Sequence, residues 1–378
     1  MKFVADDKIP FLKGVLEKYA EVHYLPGNAI SNIHLKDADA LLTRSITQCN
    51  KELLSNTSVK LIATATIGDD HIDKDYCQKN NITWASAKGC NAAAVEQYFT
   101  AGLLALASKH DIDLKGKTIG IIGVGNVGTK IQQVSKLLGL MVLANDPPRE
   151  RSEGKAGFAS LAEIQKQADI ISLHTPLNHE GIDKSFHLMD QDFFDGLQKA
   201  VIFINTSRGA VVNTSALKNA INNGKVSHAI LDVWENEPEI DQELLQMAAI
   251  ATPHIAGYTL EGKANGTTMI VQEIAKFFNL DLKNWKAEVP ASKTILTYNW
   301  EGLTEREILQ EVFSRVYPIL QDDKKLRANP DKFEFLRRAY NYRRENNTYV
   351  LNREGLPEQL QQILAQLGFN FNEIITNK

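Results

Sequence analysis

Three short segments in the middle of the chain hold the residue types that chemistry beside a carboxylate requires. They are Asn205-Thr206-Ser207-Arg208-Gly209, Leu231-Asp232-Val233-Trp234-Glu235-Asn236-Glu237-Pro238 and Thr252-Pro253-His254-Ile255-Ala256-Gly257. Oxidising the C2 hydroxyl of a 2-hydroxy acid takes a cation for the carboxylate, a base for the hydroxyl proton, and a group that orients the base. Arg208 offers a planar fork suited to bidentate carboxylate binding. His254 carries an imidazole, ordinarily titrating at about 6.5, that takes up a proton near neutrality. Glu237 is a carboxylate fit to orient that ring and stabilise its charged form. Singly, each residue also suits an ordinary structural role: a strand-end cation, a loop carboxylate before a proline, a satisfied loop histidine. Only the set points to acid–base work on a 2-hydroxy acid.

Such an oxidation also needs a hydride acceptor, which no side chain supplies. Lys117-Thr118-Ile119-Gly120-Ile121-Ile122 runs directly into Gly123-Val124-Gly125-Asn126-Val127-Gly128. A glycine pattern of this form carries meaning when it closes a strand and opens a helix, as this one is placed to do. Gly123 permits the tight turn, Gly125 lets backbone approach a pyrophosphate, and Gly128 allows close helix–strand packing. The N–H groups around Asn126 and Val127 then face the phosphates at the positive end of a helix. The next strand candidate ends at Asp146, whose carboxylate accepts from ribose hydroxyls and repels a 2′-phosphate. The expected cofactor is therefore NAD rather than NADP, with Arg149 nearby working against that discrimination.

The elements needed to position these groups can be read from hydrophobic patterning. Phe3–Ala5, Ala40–Leu42, Leu61–Ala63 and Ile82–Trp84 are strand candidates alternating with helical stretches, as in parallel βαβ units. Ala92 to Ser108 reads as a long buried helix capped by Asn91. A second series follows: Thr118–Ile122, Met141–Asn145, Ile170–His174, Val201–Asn205, Ala229–Val233 and Ile250–Thr252, enough for a doubly wound dinucleotide fold. The helical pattern Ile270, Ile274, Phe277, Phe278 is expected to return to the first series. After Lys286 come three amphipathic stripes: one behind the capping-box pattern Thr304–Glu307, one opened by Asn329-Pro330, and one stopped by Gly368. The expected architecture is α/β, with two doubly wound, Rossmann-like parallel-sheet domains and a smaller C-terminal α+β dimerisation domain. The expected boundaries are 1–90 with 258–285 for the substrate domain, 91–257 for the NAD domain, and 286–378 for the third.

Bulk properties exclude several classes. Across 378 residues, a net charge of −4 is too mild to draw nucleic acid or an anionic membrane surface. The three cysteines, Cys49, Cys77 and Cys90, show no disulfide or metal-ligand spacing; no metal is expected, and the set reads as reduced thiols in a cytoplasmic protein. Cys90 reads as a small buried filler. The N-terminus meets Asp6 and Asp7 before an apolar run forms, so no signal peptide is indicated.

The glycine loop together with the three central segments resembles the D-isomer-specific 2-hydroxyacid dehydrogenase family, over about residues 1–280. The resemblance implies that Arg208, Glu237 and His254 are catalytic. It also implies that Thr175, Thr206, Ser207, Arg208, Asp232 and Gly257 line the NAD site. Glu237 separates the chain from the similar formate dehydrogenases, which carry Gln in that role. In the family's substrate loops this sequence has Ser45, with Arg44 beside it, and Ala65-Thr66-Ile67-Gly68, where Thr66 replaces the usual glycine. Tyr258 stands where small residues are common, and Pro176–Gly181 is longer than the usual turn. These features imply a small phosphorylated 2-hydroxy acid as substrate, contacted by Ser45, Thr66 and Tyr258 with Arg44 on the phosphate. A homodimer through the C-terminal domain is implied too. Tyr342-Arg343-Arg344 is then either a solvated basic helix end or a cluster reaching a partner's active site. The family also contains NAD-sensing transcriptional corepressors, the non-enzyme alternative.

If Asp146 reads the ribose, Asp146→Ala weakens NAD binding by about 1–2 kcal/mol, the scale of a hydrogen bond to a charged group, and relaxes exclusion of NADP. Titrating both cofactors against the variant checks this; an unchanged NAD affinity removes Asp146 from the role.

Overall fold

Fully buried strands need apolar side chains on both faces, and the first five strands mostly meet that need. In the computed structural model, which describes residues 1–372, β1 (Lys2–Asp6), β2 (Glu21–Leu25), β3 (Ala40–Thr43), β4 (Leu61–Thr64) and β5 (Thr83–Ser86) form one parallel sheet in the order β2-β1-β3-β4-β5. β3 and β4 are buried at every position, as both-face packing in a parallel sheet demands. β2 was not among the expected strands. Its sequence, Glu-Val-His-Tyr-Leu, alternates polar and apolar residues because it lies at the sheet edge with Glu21 and His23 exposed. The helix Leu260–Phe277 returns to this sheet, burying Ile270, Val271 and Ile274 in one cluster with Phe3, Leu42 and Leu61. Together, Met1–Asn91 and Thr259–Pro290 make one compact unit.

The second unit, Ala92–Tyr258 with Ala291–Lys378, is built on a six-stranded parallel sheet. Its strands are β6 (Thr118–Ile122), β7 (Met141–Asn145), β8 (Ile170–Leu173), β9 (Val201–Asn205), β10 (Val226–Leu231) and β11 (Ile250–Ala251). Their order, β11-β10-β9-β8-β6-β7, reverses direction between β6 and β8, so the loops after those two strands flank a topological switch point. The helix Ala92–Lys109 is buried on nearly all sides, consistent with its almost unbroken apolar sequence. The expected Asn91 cap is not made: its Oδ1 is buried without a hydrogen-bond partner among the described residues.

The C-terminal segment does not stand apart. Thr304 and Glu307 close the expected capping box, and the helix Glu305–Val316 buries Ile308, Val312, Phe313 and Val316 in one cluster with Tyr98, Leu103 and Leu106 of the central helix. The helix Ile319–Ala328 covers an exposed sheet edge: Asp323 Oδ1 accepts from the Ala251 N–H of β11 at 2.8 Å. Arg327 binds that same carboxylate and donates to the Leu245 and Ala248 carbonyls. A small parallel sheet of β12 (Thr294–Leu296), β13 (Tyr349–Leu351) and β14 (Asn370–Phe371) completes the segment. Residues 373–378 of the segment expected from Lys286 onward lie outside the described residues.

Because one core spans the central helix and the C-terminal helices, they should unfold together. Phe313, 1% exposed and edge-on to Phe369, is the test position. Phe313→Ala is expected to cost about 3–5 kcal/mol, shifting a single urea transition of the second unit. A C-terminal transition that separates from that of the dinucleotide fold would contradict the shared core.

Candidate active site

The glycine loop closes β6 and opens the helix Asn126–Leu137. Gly123 has φ 88°, and a Cβ there would stand 2.7 Å from the His174 carbonyl carbon, so only glycine fits. Gly125 is the helix N-cap and faces open space, which leaves its backbone accessible to a ligand. Asn126 and Val127 begin the helix, and Gly128 is buried in its first turn. Thr175, past the end of β8 on the other side of the switch point, has a buried Oγ1 with no hydrogen-bond partner among the described residues. Open backbone at Gly125 and an orphaned hydroxyl across the switch point fit a bound dinucleotide.

Asp146 directly follows β7 and turns its carboxylate toward this loop. Oδ2 accepts from the Val124 N–H at 2.8 Å, and Oδ1 caps the next helix through the Arg149 N–H at 3.1 Å. It therefore shapes the glycine loop. Arg149 donates to the Val124 carbonyl and pairs with Glu153, which holds its guanidinium beside the same loop.

The segment after β9 is shaped by Asn205. Its Oδ1 accepts from both the N–H and the hydroxyl of Ser207, and its Nδ2 donates to the Arg208 carbonyl at 3.0 Å. The Ser207 side chain is thus turned inward, while Thr206 and Arg208 on either side are half-buried. Thr206 Oγ1 lies 3.4 Å from His174 Nδ1. Burial pushes the His174 ring down to about 3, so it is neutral, and Ser172 holds its other nitrogen at 2.9 Å. Arg208 Nη1 donates to the Ser207 carbonyl. The backbone at Gly209 packs so closely on the Trp234 carbonyl that a Cβ would overlap it, which brings Arg208 beside the loop carrying Glu237.

Glu237 and His254 are brought together as expected. His254 Nδ1 lies 2.7 Å from Glu237 Oε2, while Glu237 Oε1 accepts from the Trp234 N–H at 2.9 Å. Burial raises the Glu237 carboxyl, but His254 and the Trp234 N–H outweigh it and hold the group below its usual range, with Arg337 adding to the effect. A carboxylate on Nδ1 leaves Nε2 as the nitrogen able to exchange a proton with a ligand. His254 adopts φ 57°, a left-handed conformation uncommon outside glycine, so its surroundings must fix it.

Asp232 fixes one side of that turn. It is 1% exposed, and its carboxylate accepts from the Thr252 hydroxyl and from the N–H groups of Ile255 and Ala256, all within 2.8 Å. Tyr98 donates in turn to Thr252 at 2.6 Å, since the Thr252 proton is committed to Asp232. Expected as a cofactor contact, Asp232 uses both oxygens to build the turn that precedes Gly257. Tyr258 packs edge-on to Tyr340 and Tyr342.

In the first unit, β3 and β4 are neighbours and deliver Ser45 and Thr66 to the same sheet edge. Ser45 is exposed. Thr66 Oγ1 donates to the Gly68 carbonyl and accepts from Thr64, so its proton is spent within its own loop. Arg44 directs Nε and Nη2 at the two oxygens of fully buried Asp6, at 3.0 and 3.3 Å, which commits one edge of its fork.

Sequence reasoning missed one arginine of the C-terminal segment and left the place of another open. Arg337 hydrogen-bonds the Tyr258 side chain and lies within electrostatic reach of Glu237. Arg343, expected either as a solvated end or as a group reaching a partner, is only 9% exposed and hydrogen-bonds Gln97, the Tyr340 side chain and the carbonyls of Ala94, Ile255, Ala256 and Tyr258, all within its own unit, so it cannot extend to a second chain. A cluster of arginines and tyrosines was visible in the sequence; which of them points inward was not.

Residues 90–256 match the model of the D-isomer specific 2-hydroxyacid dehydrogenase NAD binding domain, and residues 291–368 match a domain family of unknown function. The erythronate-4-phosphate dehydrogenase of Bacteroides thetaiotaomicron is 47% identical over 92% of this chain and 98% of its own length. That of Escherichia coli O139:H28 is 38% identical over 98% of both chains. Among solved structures, D-lactate dehydrogenase of Aquifex aeolicus, crystallised with NAD and lactic acid, superposes with a TM-score of 0.60 at 27% identity, covering 75% of this chain and 97% of that one. With its glycine loop, its His254–Glu237 pair and relatives matched over nearly their whole length, the chain belongs to the erythronate-4-phosphate dehydrogenase family of D-isomer-specific 2-hydroxyacid dehydrogenases.

Proposed function

We propose that the chain oxidises 4-phospho-D-erythronate at C2 with NAD, giving 3-hydroxy-2-oxo-4-phosphooxybutanoate and NADH, a step toward pyridoxal 5′-phosphate. The 2.7 Å contact of His254 Nδ1 with Glu237 carries this reading, because it leaves Nε2 as a base on the same sheet edge as the glycine loop. Arg208 binds the C1 carboxylate through its fork and fixes C2 in place. His254 Nε2 takes the C2 hydroxyl proton as the C2–H bond breaks and the C=O bond forms. Glu237, held ionised, stabilises the imidazolium that results. NAD, when bound, accepts the hydride from C2 and so takes both electrons. The backbone from Gly125 to Val127 and the Thr175 hydroxyl hold the cofactor, with Asp146 on the ribose.

A 4-phosphate needs a second cation, since Arg208 is committed to the carboxylate. Arg44, about a third exposed with one edge of its fork on Asp6, supplies it from the loop that bears Ser45. We also place the enzyme in the cytoplasm as a homodimer. Phe335 and Leu320, exposed apolar side chains on the C-terminal segment, support a docking face there.

Absorbance at 340 nm with 4-phosphoerythronate, 3-phosphoglycerate and glycerate, each with NAD, tests the assignment. Turnover should be highest for the first. Preference for 3-phosphoglycerate would assign a different phosphorylated acid, and no turnover with any would favour a sensor. His254→Ala should lower kcat by about 10²–10⁴-fold, Arg208→Lys should be nearly as severe because a point charge cannot form the fork, and Glu237→Gln should shift the pH profile of kcat. Near-normal turnover in folded His254→Ala would rule out the mechanism. For the phosphate, Arg44→Lys keeps a cation for buried Asp6 and should raise KM more for 4-phosphoerythronate than for unphosphorylated erythronate; equal increases would remove Arg44 from the role.

A further inference from the structure

We propose that Arg343, contributed by the C-terminal segment, is the positioning residue that sets the His254 imidazole against Glu237 by holding the carbonyl side of the turn from Ile255 to Tyr258. The proposal rests on His254 being the base.

The Arg343 guanidinium is saturated by neutral partners. Nε donates to Gln97 Oε1 at 2.8 Å, Nη1 to the carbonyls of Ile255 at 2.9 Å and Tyr258 at 3.4 Å, and Nη2 to the carbonyls of Ala94 at 2.9 Å and Ala256. Its Cζ stands 4.2 Å from the centroid of the Tyr317 ring. Three of those carbonyls belong to the four residues that follow His254. The N–H groups of two of the same residues, Ile255 and Ala256, point the other way, onto buried Asp232. The turn is therefore gripped on both sides, by an anion on its amides and a cation on its carbonyls.

The grip matters because the turn's own backbone bond, from the Tyr258 N–H to the Ile255 carbonyl at 2.9 Å, does not span His254. His254 has φ 57°, and the residue next to it begins the clamped stretch. Releasing the carbonyls lets residue 254 relax toward ordinary backbone, which swings the imidazole and opens its contact with Glu237 Oε2. A misplacement of about 1 Å in a catalytic group costs on the order of 10²-fold in rate. Lysine cannot substitute for Arg343, since one ammonium with three donors cannot serve all the acceptors that the guanidinium reaches from Nε, Nη1 and Nη2.

Arg343→Lys is the direct test, with folding checked by circular dichroism and thermal unfolding. Turnover of 4-phosphoerythronate should fall on the order of 10²-fold with little change in KM, and the pH profile of kcat should shift. In the protein without substrate, the NMR signal of the hydrogen-bonded His254 Nδ1–H should weaken or vanish. A merely structural bond would lower the yield of folded protein and leave the profile and the signal of the folded fraction unchanged; that result overturns the proposal. If Arg343→Lys does not fold, Gln97→Met decides. It removes one acceptor and keeps the buried charge, so it should weaken the same signal and lower kcat by less. Both unchanged would overturn the proposal. Should wild type oxidise none of the acids, the assigned function fails, while the Nδ1–H signal still reads the positioning.

Discussion

The structure depends most on a pair of opposite charges buried on either face of one turn. Asp232 lies at the end of β10 and Arg343 comes from the C-terminal segment, and each is held by peptide groups rather than by the other. Burying either alone would be costly, because a charge removed from water loses hydration that only ordered dipoles or an opposite charge can replace. Burial accordingly pushes the Asp232 carboxyl up, with the turn's N–H groups, Thr252 and His254 opposing it. The peptide units between the two charges serve both, with N–H toward the anion and C=O toward the cation. His254 inherits its position from that arrangement.

The C-terminal segment is consequently more than an appendage to a dinucleotide fold. It shares a core with the central helix, covers the edge of β11 through Asp323, and brings Arg337 within reach of Glu237 and Tyr258. The D-lactate dehydrogenase of Aquifex aeolicus aligns over 75% of this chain and 97% of its own length. What the C-terminal segment supplies is Arg343 behind the turn that follows His254, and Arg337 beside Tyr258.

The glycine loop shows a different economy of means. Asp146, expected to read a ribose, ties the Val124 N–H and caps the following helix. Thr175, by contrast, keeps a buried hydroxyl without a partner among the described residues. An unpaired buried polar atom costs about 1–3 kcal/mol, and at a switch point a bound ligand can supply the missing partner.

The sequence alone determined the parallel sheets, the glycine loop and the Arg208, Glu237 and His254 set, because each is carried by local pattern. Runs such as Val-Ile-Phe-Ile-Asn at β9 can only be buried strands, and a strand that ends in spaced glycines before a helix has one common use. Edge strand β2, the strands of the small sheet and the lost Asn91 cap were not legible, since short or half-polar segments take their form from neighbours far away in the chain. The same holds for charge. Arg343 and Arg344 are adjacent and identical in type, and nothing local says that Arg343 is the buried one and Arg344 only half-buried. Only the fold, by placing Gln97, Ala94 and the turn after His254 around one side chain, decided that Arg343 faces inward and that the C-terminal segment takes part in building the site.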